Sequence, residues 1–63
     1  MPRPLTDRQR WQEELLELAE KAAKHRAAFA ALPVSDRVRR DFHEWLVRDA
    51  ENRMGELRAR LAG

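Results

Sequence analysis

The sequence predicts an all-α fold, a two-helix antiparallel hairpin that associates further into a four-helix bundle. The segment Leu32–Ser35, which contains Pro33, lies almost at the midpoint of the 63 residues and interrupts helical geometry. Apolar residues recur at helical spacing on both sides of this break. A chain of this length buries only about 60% of the surface that its unfolded state exposes, so a lone hairpin leaves much of its apolar surface uncovered.

The first predicted helix spans about residues 6–32, and residues 1–5 before it form an extended arm because Pro2 and Pro4 disfavour helix. Thr6 and Gln9 fit a capping box at its start. Spacings that alternate between four and three residues are typical of a coiled-coil seam. They connect Trp11, Leu15, Leu18, Ala22, His25, Phe29 and Leu32.

The second predicted helix spans about residues 35–61, with Ser35 as its N-cap and Asp36 in its first turn. Its apolar residues follow mostly at spacings of four, so we expect them to drift around the helix and to meet the first helix at varying depth. The series consists of Val38, Phe42, Trp45, Leu46, Ala50, Met54, Leu57 and Leu61.

Folding the chain back at Pro33 predicts which residues of the two helices meet. The expected pairs are Phe29 with Val38, His25 with Phe42, Ala22 with Trp45, and Trp11 with Leu57. Three polar residues, Asp49, Asn52 and Arg53, interrupt the second helix opposite Leu15 and Leu18, and an Asp49–Arg53 pair is expected there.

A second apolar stripe runs along the first helix beside the seam and widens its apolar arc to about half of the circumference. It consists of Leu16, Ala19, Ala23, Ala27 and Ala30. Such small residues allow another helix to approach closely, although alanine also tolerates exposure to water. Together with seam residues they form the predicted protein interface, which comprises Trp11, Leu15, Leu16, Ala19, Ala23, Ala27, Ala30, Trp45, Met54 and Leu57.

Catalytic chemistry is not expected. The chain has one serine, one threonine, no tyrosine and no cysteine, and both hydroxyls are assigned to helix caps. The carboxylates have basic neighbours at helical spacing, as on a solvated surface. His25 and His43 approach each other across the predicted seam, but two imidazoles make an incomplete zinc site. We therefore predict no catalytic residues, no metal site and no cofactor.

Composition also limits the expected location and partners. Without cysteine there is no disulfide framework, and the apolar run 27–32 is too short for a signal peptide or a membrane span. We expect a single cytoplasmic domain over residues 1–63 with no membrane contact. Its expected partner is itself, as a homodimer or higher oligomer, or another helical protein.

The predicted tip of the hairpin is basic, because residues 21–40 carry six basic side chains against Asp36 alone. They are Lys21, Lys24, Arg26, Arg37, Arg39 and Arg40. The three arginines after Asp36 oppose the dipole at the start of the second helix, and glutamine at Arg39 and Arg40 is expected to leave folding unchanged or slightly improved. Three interpretations follow: a solubilising cap, a site for an acidic protein, or a site for nucleic acid. Nucleic acid ranks last because no aromatic side chain is expected to face solvent between the arginines, no nucleic-acid-binding motif is present, and four glutamates within residues 13–20 form an acidic block one turn away.

These observations predict a small interaction or regulatory module that acts through a self-associating helical hairpin. The alternatives are a hairpin subunit that docks on a larger protein complex and a small nucleic-acid-associated protein that uses the basic tip.

Overall fold

The computed structural model describes residues 4–63, which form two α-helices that pack against each other. Helix α1 is Asp7–Ala31 and helix α2 is Arg37–Ala62. Glu14 contacts Arg53 far from the turn and His25 contacts His43 close to it, so the helices run antiparallel. This confirms the predicted all-α helical hairpin. Of the predicted N-terminal arm, residues 1–3 lie outside the described part, and residues 4 and 5 precede α1 without helical structure.

The start of α1 confirms the predicted capping box. The Thr6 hydroxyl accepts a hydrogen bond from the Gln9 amide at 3.2 Å, and the Gln9 side chain accepts one from the Thr6 amide at 2.9 Å. Two of the backbone donors at the start of the helix region are therefore satisfied by side chains that the sequence itself supplies.

In the turn, the N-cap of α2 is a different residue from the predicted one. Helix α1 ends at Ala31 ahead of Pro33, and Leu32 is already extended, as residues before proline usually are. Asp36, not Ser35, is the N-cap of α2, and its carboxylate accepts from the Arg39 amide at 3.4 Å. The Asp36 amide donates to the Pro33 carbonyl at 3.0 Å and closes the turn, so α2 starts two residues later than expected.

The seam of α1 lies where the heptad spacing predicted it. Ala22 is buried with 2% of its surface exposed. The other predicted seam residues, Trp11, Leu15, Leu18, His25, Phe29 and Leu32, are half-buried. Their alternating spacing keeps them on the side of the helix that faces α2.

The seam of α2 corrects the prediction in its first half. Val38, Phe42 and Trp45 are 82%, 57% and 61% exposed, so none of them fills the predicted pairs with α1. Spacings of four advance about 40° around a helix at each step, which carries the early members of the series off the seam. Most of the buried and half-buried residues of α2 follow a three-and-four alternation, through Arg40, His43, Val47, Ala50, Met54, Leu57 and Leu61, and the half-buried Leu46 and Arg53 lie beside this row.

The polar residues in the middle of α2 also make contacts other than the predicted ones. The Arg53 guanidinium donates to Glu14 of α1 at 3.0 Å and to Glu56 at 3.1 Å, instead of pairing with Asp49. Asp49 and Asn52 are exposed. Arg53 thus connects the two helices at the edge of the seam, where its long stem also covers apolar surface.

Candidate interaction surfaces

The hairpin is a thin slab with two open broad faces. Its Cα atoms extend over 51 × 27 × 13 Å, and the short dimension is the thickness of one helix layer. Cross-helix ion pairs mark the two sides of the seam. Arg26 pairs with Glu51 on one side, and Glu14 pairs with Arg53 on the other. Exposed apolar residues occur on both sides. They are mostly alanines on one side and mostly aromatic residues on the other.

One side, which we call the alanine face, carries the predicted second stripe of α1. Leu16 is 67% exposed, and the four alanines of the stripe are exposed as well. These positions share the side of α1 that carries Arg26, because they lie within about 100° of it on the helix. The stripe therefore faces out of the hairpin and is not covered by α2.

The part of α2 that borders the stripe is charged. Basic and acidic residues alternate along it at helical spacing, in the order Arg37, Asp41, Glu44, Arg48 and Glu51. Arg48 pairs with Glu44 at 3.0 Å within the helix, and Glu51 pairs with Arg26 across the seam. A shallow cleft between the helices on this side is lined by Arg26, Phe29, Glu44 and Val47.

The residues predicted for the protein interface therefore separate into groups. Leu16, Ala19, Ala23, Ala27 and Ala30 lie on the alanine face. Met54 and Leu57 are buried inside the hairpin, while Trp11 and Leu15 are half-buried there, so these four belong to the contact between α1 and α2. Trp45 is exposed on a different side of the molecule.

The opposite side, which we call the aromatic face, is formed by Val38, Phe42 and Trp45 of α2 together with Lys21, Lys24 and Arg39. The three apolar residues follow at i, i+4 and i+7, so they form one stripe about 10 Å long. The edge of Phe42 contacts the His43 ring, with centroids 5.6 Å apart. His43 in turn contacts His25 of α1. Lys21 and Lys24 precede His25 on that helix by four residues and by one residue.

The predicted basic patch is thereby divided. Arg26 pairs with Glu51 and lies with Arg37 on the alanine side. Lys21, Lys24 and Arg39 belong to the aromatic face. Arg39 is 73% exposed in its side chain and lies 3.6 Å from Asp36.

Arg40 is held in the tip by contacts with α1 and is not a free surface charge. It donates hydrogen bonds to the carbonyls of Phe29 and Leu32, at 3.3 and 2.9 Å, and its guanidinium lies 4.0 Å above the Phe29 ring. The last carbonyls of a helix lack partners within the helix, and the last turn of α1 contains no basic residue. Arg40 supplies both the donors and the positive charge that this helix end favours.

The two histidines lie together in the seam near the tip. Their Nδ1 atoms are 2.9 Å apart, so one ring carries the proton and donates it to the other. Partial burial, followed by the charges of His43, Lys21 and Lys24, lowers the pKa of His25. The charged form of His25 is therefore disfavoured in the folded chain.

Two other kinds of site are not found among the described residues. Within residues 4–63, no three histidine, aspartate or glutamate side chains are grouped closely enough to hold a metal ion. In the same range, neither helix has a stretch that is both long and apolar enough to cross a bilayer.

Sequence reasoning missed the exposure of Phe42 and Trp45. The signal that identifies it is the heptad of α2 followed backwards from Leu57 through Ala50 and Val47, which leads to His43 and Arg40 and leaves both aromatic residues outside. A polar seam at the tip is unusual enough that hydrophobicity alone favoured the aromatic residues for the core.

The chain was compared with family models, with curated proteins and with solved structures, and no match was found in any of the three comparisons.

Proposed function

We propose that this protein is a small interaction module that self-associates through its alanine face, so that two hairpins form an antiparallel four-helix bundle. The observation that carries the proposal is the exposed apolar stripe of Leu16 and four alanines on a hairpin that is only 13 Å thick. Exposed apolar surface of this extent commonly marks an interaction site. A broad face of 51 × 27 Å accommodates the roughly 800 Å² per partner that stable interfaces bury.

The shape of the stripe favours a second copy as its partner. Ala23 lies at the middle of the stripe. When two α1 helices cross antiparallel at Ala23, Leu16 of one copy lies over Ala30 of the other, and Ala19 lies over Ala27. Large residues then meet small ones, as interdigitated packing requires. In the same arrangement, Leu16 of the second copy lies near the cleft that Phe29 and Val47 line on the first.

The charges on the alanine face are complementary to themselves in the same arrangement. In the twofold contact, Arg37 of one α2 approaches Glu51 of the other, and Asp41 approaches Arg48. On α1, Arg26 approaches Glu20 of the second copy. A twofold interface has to be self-complementary in this way. Opposite charges placed across it select the register and orientation more than they add affinity.

The mass of the chain in solution tests the proposal. Light scattering and sedimentation over a range of concentrations are expected to show a dimer of the 7.4 kDa chain, with a thermal midpoint that rises with concentration. A 7.4 kDa species with a cooperative, concentration-independent transition would contradict it.

A substitution locates the contact. Ala23→Glu places a charge in the centre of the interface, and we expect it to weaken dimerisation by several kcal/mol. Ala59→Glu is the matched control, because Ala59 is exposed on the outer side of α2, and it is expected to change dimerisation by less than about 0.5 kcal/mol. Equal effects of the two substitutions would remove the alanine face from the interface.

A charge exchange tests the register. Asp41→Arg and Arg48→Asp should each weaken the dimer, and the double variant should recover most of the loss, because each copy then carries the inverted pair. Helicity measured by circular dichroism controls for effects on the hairpin itself. No recovery in the double variant would reject the antiparallel register while leaving self-association open to the mass measurement.

The second candidate is a hairpin subunit that docks on a larger complex. It is favoured by one observation, the exposure of Val38, Phe42 and Trp45 on the side away from the alanine face. The cytoplasmic location expected from the sequence stays a prediction, as does the absence of enzymatic activity.

A further inference from the structure

A second row of residues runs along α1 on the side of the hairpin that carries the aromatic face. Glu14 marks this side through its ion pair with Arg53, and the other members of the row lie within about 100° of Glu14 on the helix. They follow at alternating spacings of three and four residues, as residues of a helix–helix contact do. Towards the tip, the row reads Glu14, Glu17, Lys21, Lys24, Ala28 and Ala31. Its small members therefore lie nearest the tip.

The row of α2 that carries the rings has bulky residues where the row of α1 has alanines. Starting at the tip, it reads Val38, Phe42, Trp45, Asp49 and Arg53. The first three are 82%, 57% and 61% exposed, so α1 of the same hairpin does not cover them. A surface with one bulky row and one small row has the shape to pack against a copy of itself.

Two contacts across the seam show which residues of the two rows lie at the same distance from the turn. Glu14 contacts Arg53, and His25 contacts His43. Because the helices are antiparallel, counting from these contacts gives the level of every other residue to within one helical turn. The residues that share a level are Ala31 with Val38, Ala28 with Phe42, Lys24 with Trp45, and Lys21 with Asp49.

We propose that the aromatic face binds a second copy of the chain through a twofold axis parallel to the helices, so that α1 of each copy lies on α2 of the other. Residues at the same level then face each other across the contact. Phe42 of one copy packs on Ala28 of the other, and Val38 packs on Ala31. Large residues meet small ones in both halves of the contact, because the axis repeats each pair.

Charges in the same contact are complementary as well. Lys21 of one copy faces Asp49 of the other, and Lys24 lies over the Trp45 ring, a position that a cation favours. Neither lysine has an ion pair within its own hairpin among the described residues. Glu14 and Arg53 are 40% and 38% exposed in their side chains, so the pairs of the two copies can join into one cluster of alternating charge. Opposite charges placed in this way select the orientation of the second copy.

This contact does not depend on the proposed dimer through the alanine face, because the two faces lie on opposite sides of the seam. Either contact can form without the other. A copy that uses both faces has a neighbour on each side, so hairpins stack layer on layer and the assembly does not close on itself.

The Ala23→Glu variant isolates the contact, because it disables the alanine face and leaves the aromatic face unchanged. Sedimentation of this variant is expected to show a monomer–dimer equilibrium. Adding Trp11→Phe leaves Trp45 as the only tryptophan, and its emission should shift to the blue as concentration rises, because the ring leaves water. If the variant stays a 7.4 kDa monomer at millimolar concentration, the rings are left to a different partner and the proposal is overturned.

A ring substitution locates the contact. In the Ala23→Glu background, Trp45→Ala should weaken dimerisation at least about 30-fold, the usual loss at a central aromatic residue of an interface. Val34→Ala is the control, since Val34 is 79% exposed in the turn, and it should change dimerisation by less than about threefold. Circular dichroism verifies that both variants keep their helices. Equal losses for the two substitutions would contradict a contact through the rings.

The two self-contacts fail separately. In the otherwise unmodified chain, Ala23→Glu and Trp45→Ala should each leave dimers, and the double variant should be a monomer. If Ala23→Glu alone produces a monomer and Trp45→Ala changes nothing, the aromatic-face contact is rejected and the alanine-face dimer stands. The reverse pattern rejects the alanine-face dimer and supports the contact proposed here.

Mixing two charge variants tests whether the contact joins two copies in this register. In the Ala23→Glu background, Lys21→Glu brings two carboxylates together across the contact, and Asp49→Lys brings two ammonium groups together. Each variant alone should therefore dimerise less well than its parent. An equimolar mixture should recover the association, because each copy then offers the charge that the other lacks. A mixture that associates no better than either variant alone would overturn the proposal.

Discussion

The alanine face and the aromatic face lie on opposite sides of one hairpin whose smallest extent is 13 Å, yet they expose different kinds of side chain. The alanine face is flat, lined with small side chains, and its charges alternate in sign. The aromatic face has two exposed rings, and both basic and acidic side chains lie beside them. Apolar exposure is common to both faces, so exposure by itself identifies a surface but not its partner.

The largest effect is expected from a substitution in the seam between α1 and α2, because the packing there holds both faces in place. Leu57→Ala removes the most deeply buried side chain, with 0% exposure, and should lower the free energy of unfolding by about 2–5 kcal/mol. Leu16→Ala is the control, because Leu16 is 67% exposed and belongs to the alanine face. It should weaken dimerisation while a dilute sample keeps its helicity. Urea denaturation followed by circular dichroism measures the free energy of unfolding of both variants. A smaller loss of this free energy for Leu57→Ala than for Leu16→Ala would contradict the assignment of Leu57 to the core of the hairpin.

The second-largest effect is expected to distinguish Arg40 from its neighbour Arg39 at the tip. Arg40→Gln should lower the free energy of unfolding by about 1–2 kcal/mol, because it removes the charged donors of the Phe29 and Leu32 carbonyls and the contact with the Phe29 ring. Arg39→Gln should change it by less than about 0.5 kcal/mol, since Arg39 is exposed. Thermal unfolding measures both variants.

This expectation replaces the one drawn from the helix dipole, in which glutamine at Arg39 and Arg40 leaves folding unchanged or slightly improved. If Arg40→Gln is as neutral as Arg39→Gln, the contacts of Arg40 with the end of α1 contribute nothing to stability.

A smaller, stabilising effect is expected on the alanine side of α2. Gly55 lies inside the helix, and a Cβ atom added there meets nothing within 4 Å. Gly55→Ala should therefore raise the free energy of unfolding by about 0.5–1 kcal/mol through helix propensity. The dimerisation constant should stay unchanged if the interface is centred on Ala23. Weaker dimerisation without loss of stability would instead indicate that a partner backbone approaches at Gly55.

The smallest effect concerns pH and is confined to the tip. The pKa of His25 is lower in the folded chain than its ordinary value of 6.5, so the unfolded chain binds more protons as the pH falls. Stability should be fully present above pH 6.5 and should decrease as the pH falls below it towards the pKa in the folded state. Burial lowers this pKa most, followed by the charges of His43, Lys21 and Lys24. Thermal midpoints between pH 7.5 and 5 measure the decrease.

His25→Gln serves as the comparison, since it removes the titrating ring and should flatten the pH dependence in this window. A midpoint that rises on acidification of the unmodified chain would show the opposite sign and contradict the interpretation of the pair.

The comparison between the faces also shows which parts of the structure could be predicted from sequence. The break at Pro33, the capping box of Thr6 and Gln9, and the seam of α1 depend on local geometry and spacing, and they were predicted correctly. The alanine stripe was identified for the same reason.

The first half of α2 could not be predicted in this way, because its seam is formed by Arg40 and His43. Their burial depends on partners in α1, namely the carbonyls of Phe29 and Leu32 and the ring of His25. Hydrophobicity ranks Phe42 and Trp45 above them for the core, so the aromatic face was placed inside the molecule. The spacing of residues within one helix does not show which polar residues contact the other helix.

The thickness of a single helix layer has a consequence for assembly. When two hairpins join through their alanine faces, their aromatic faces point outward in opposite directions from the resulting two-layer bundle. Val38, Phe42 and Trp45 therefore stay exposed in both copies of the proposed dimer. Because the two copies are related by a twofold axis, a partner that binds one of these outer sides is bound twice, on opposite sides of the bundle.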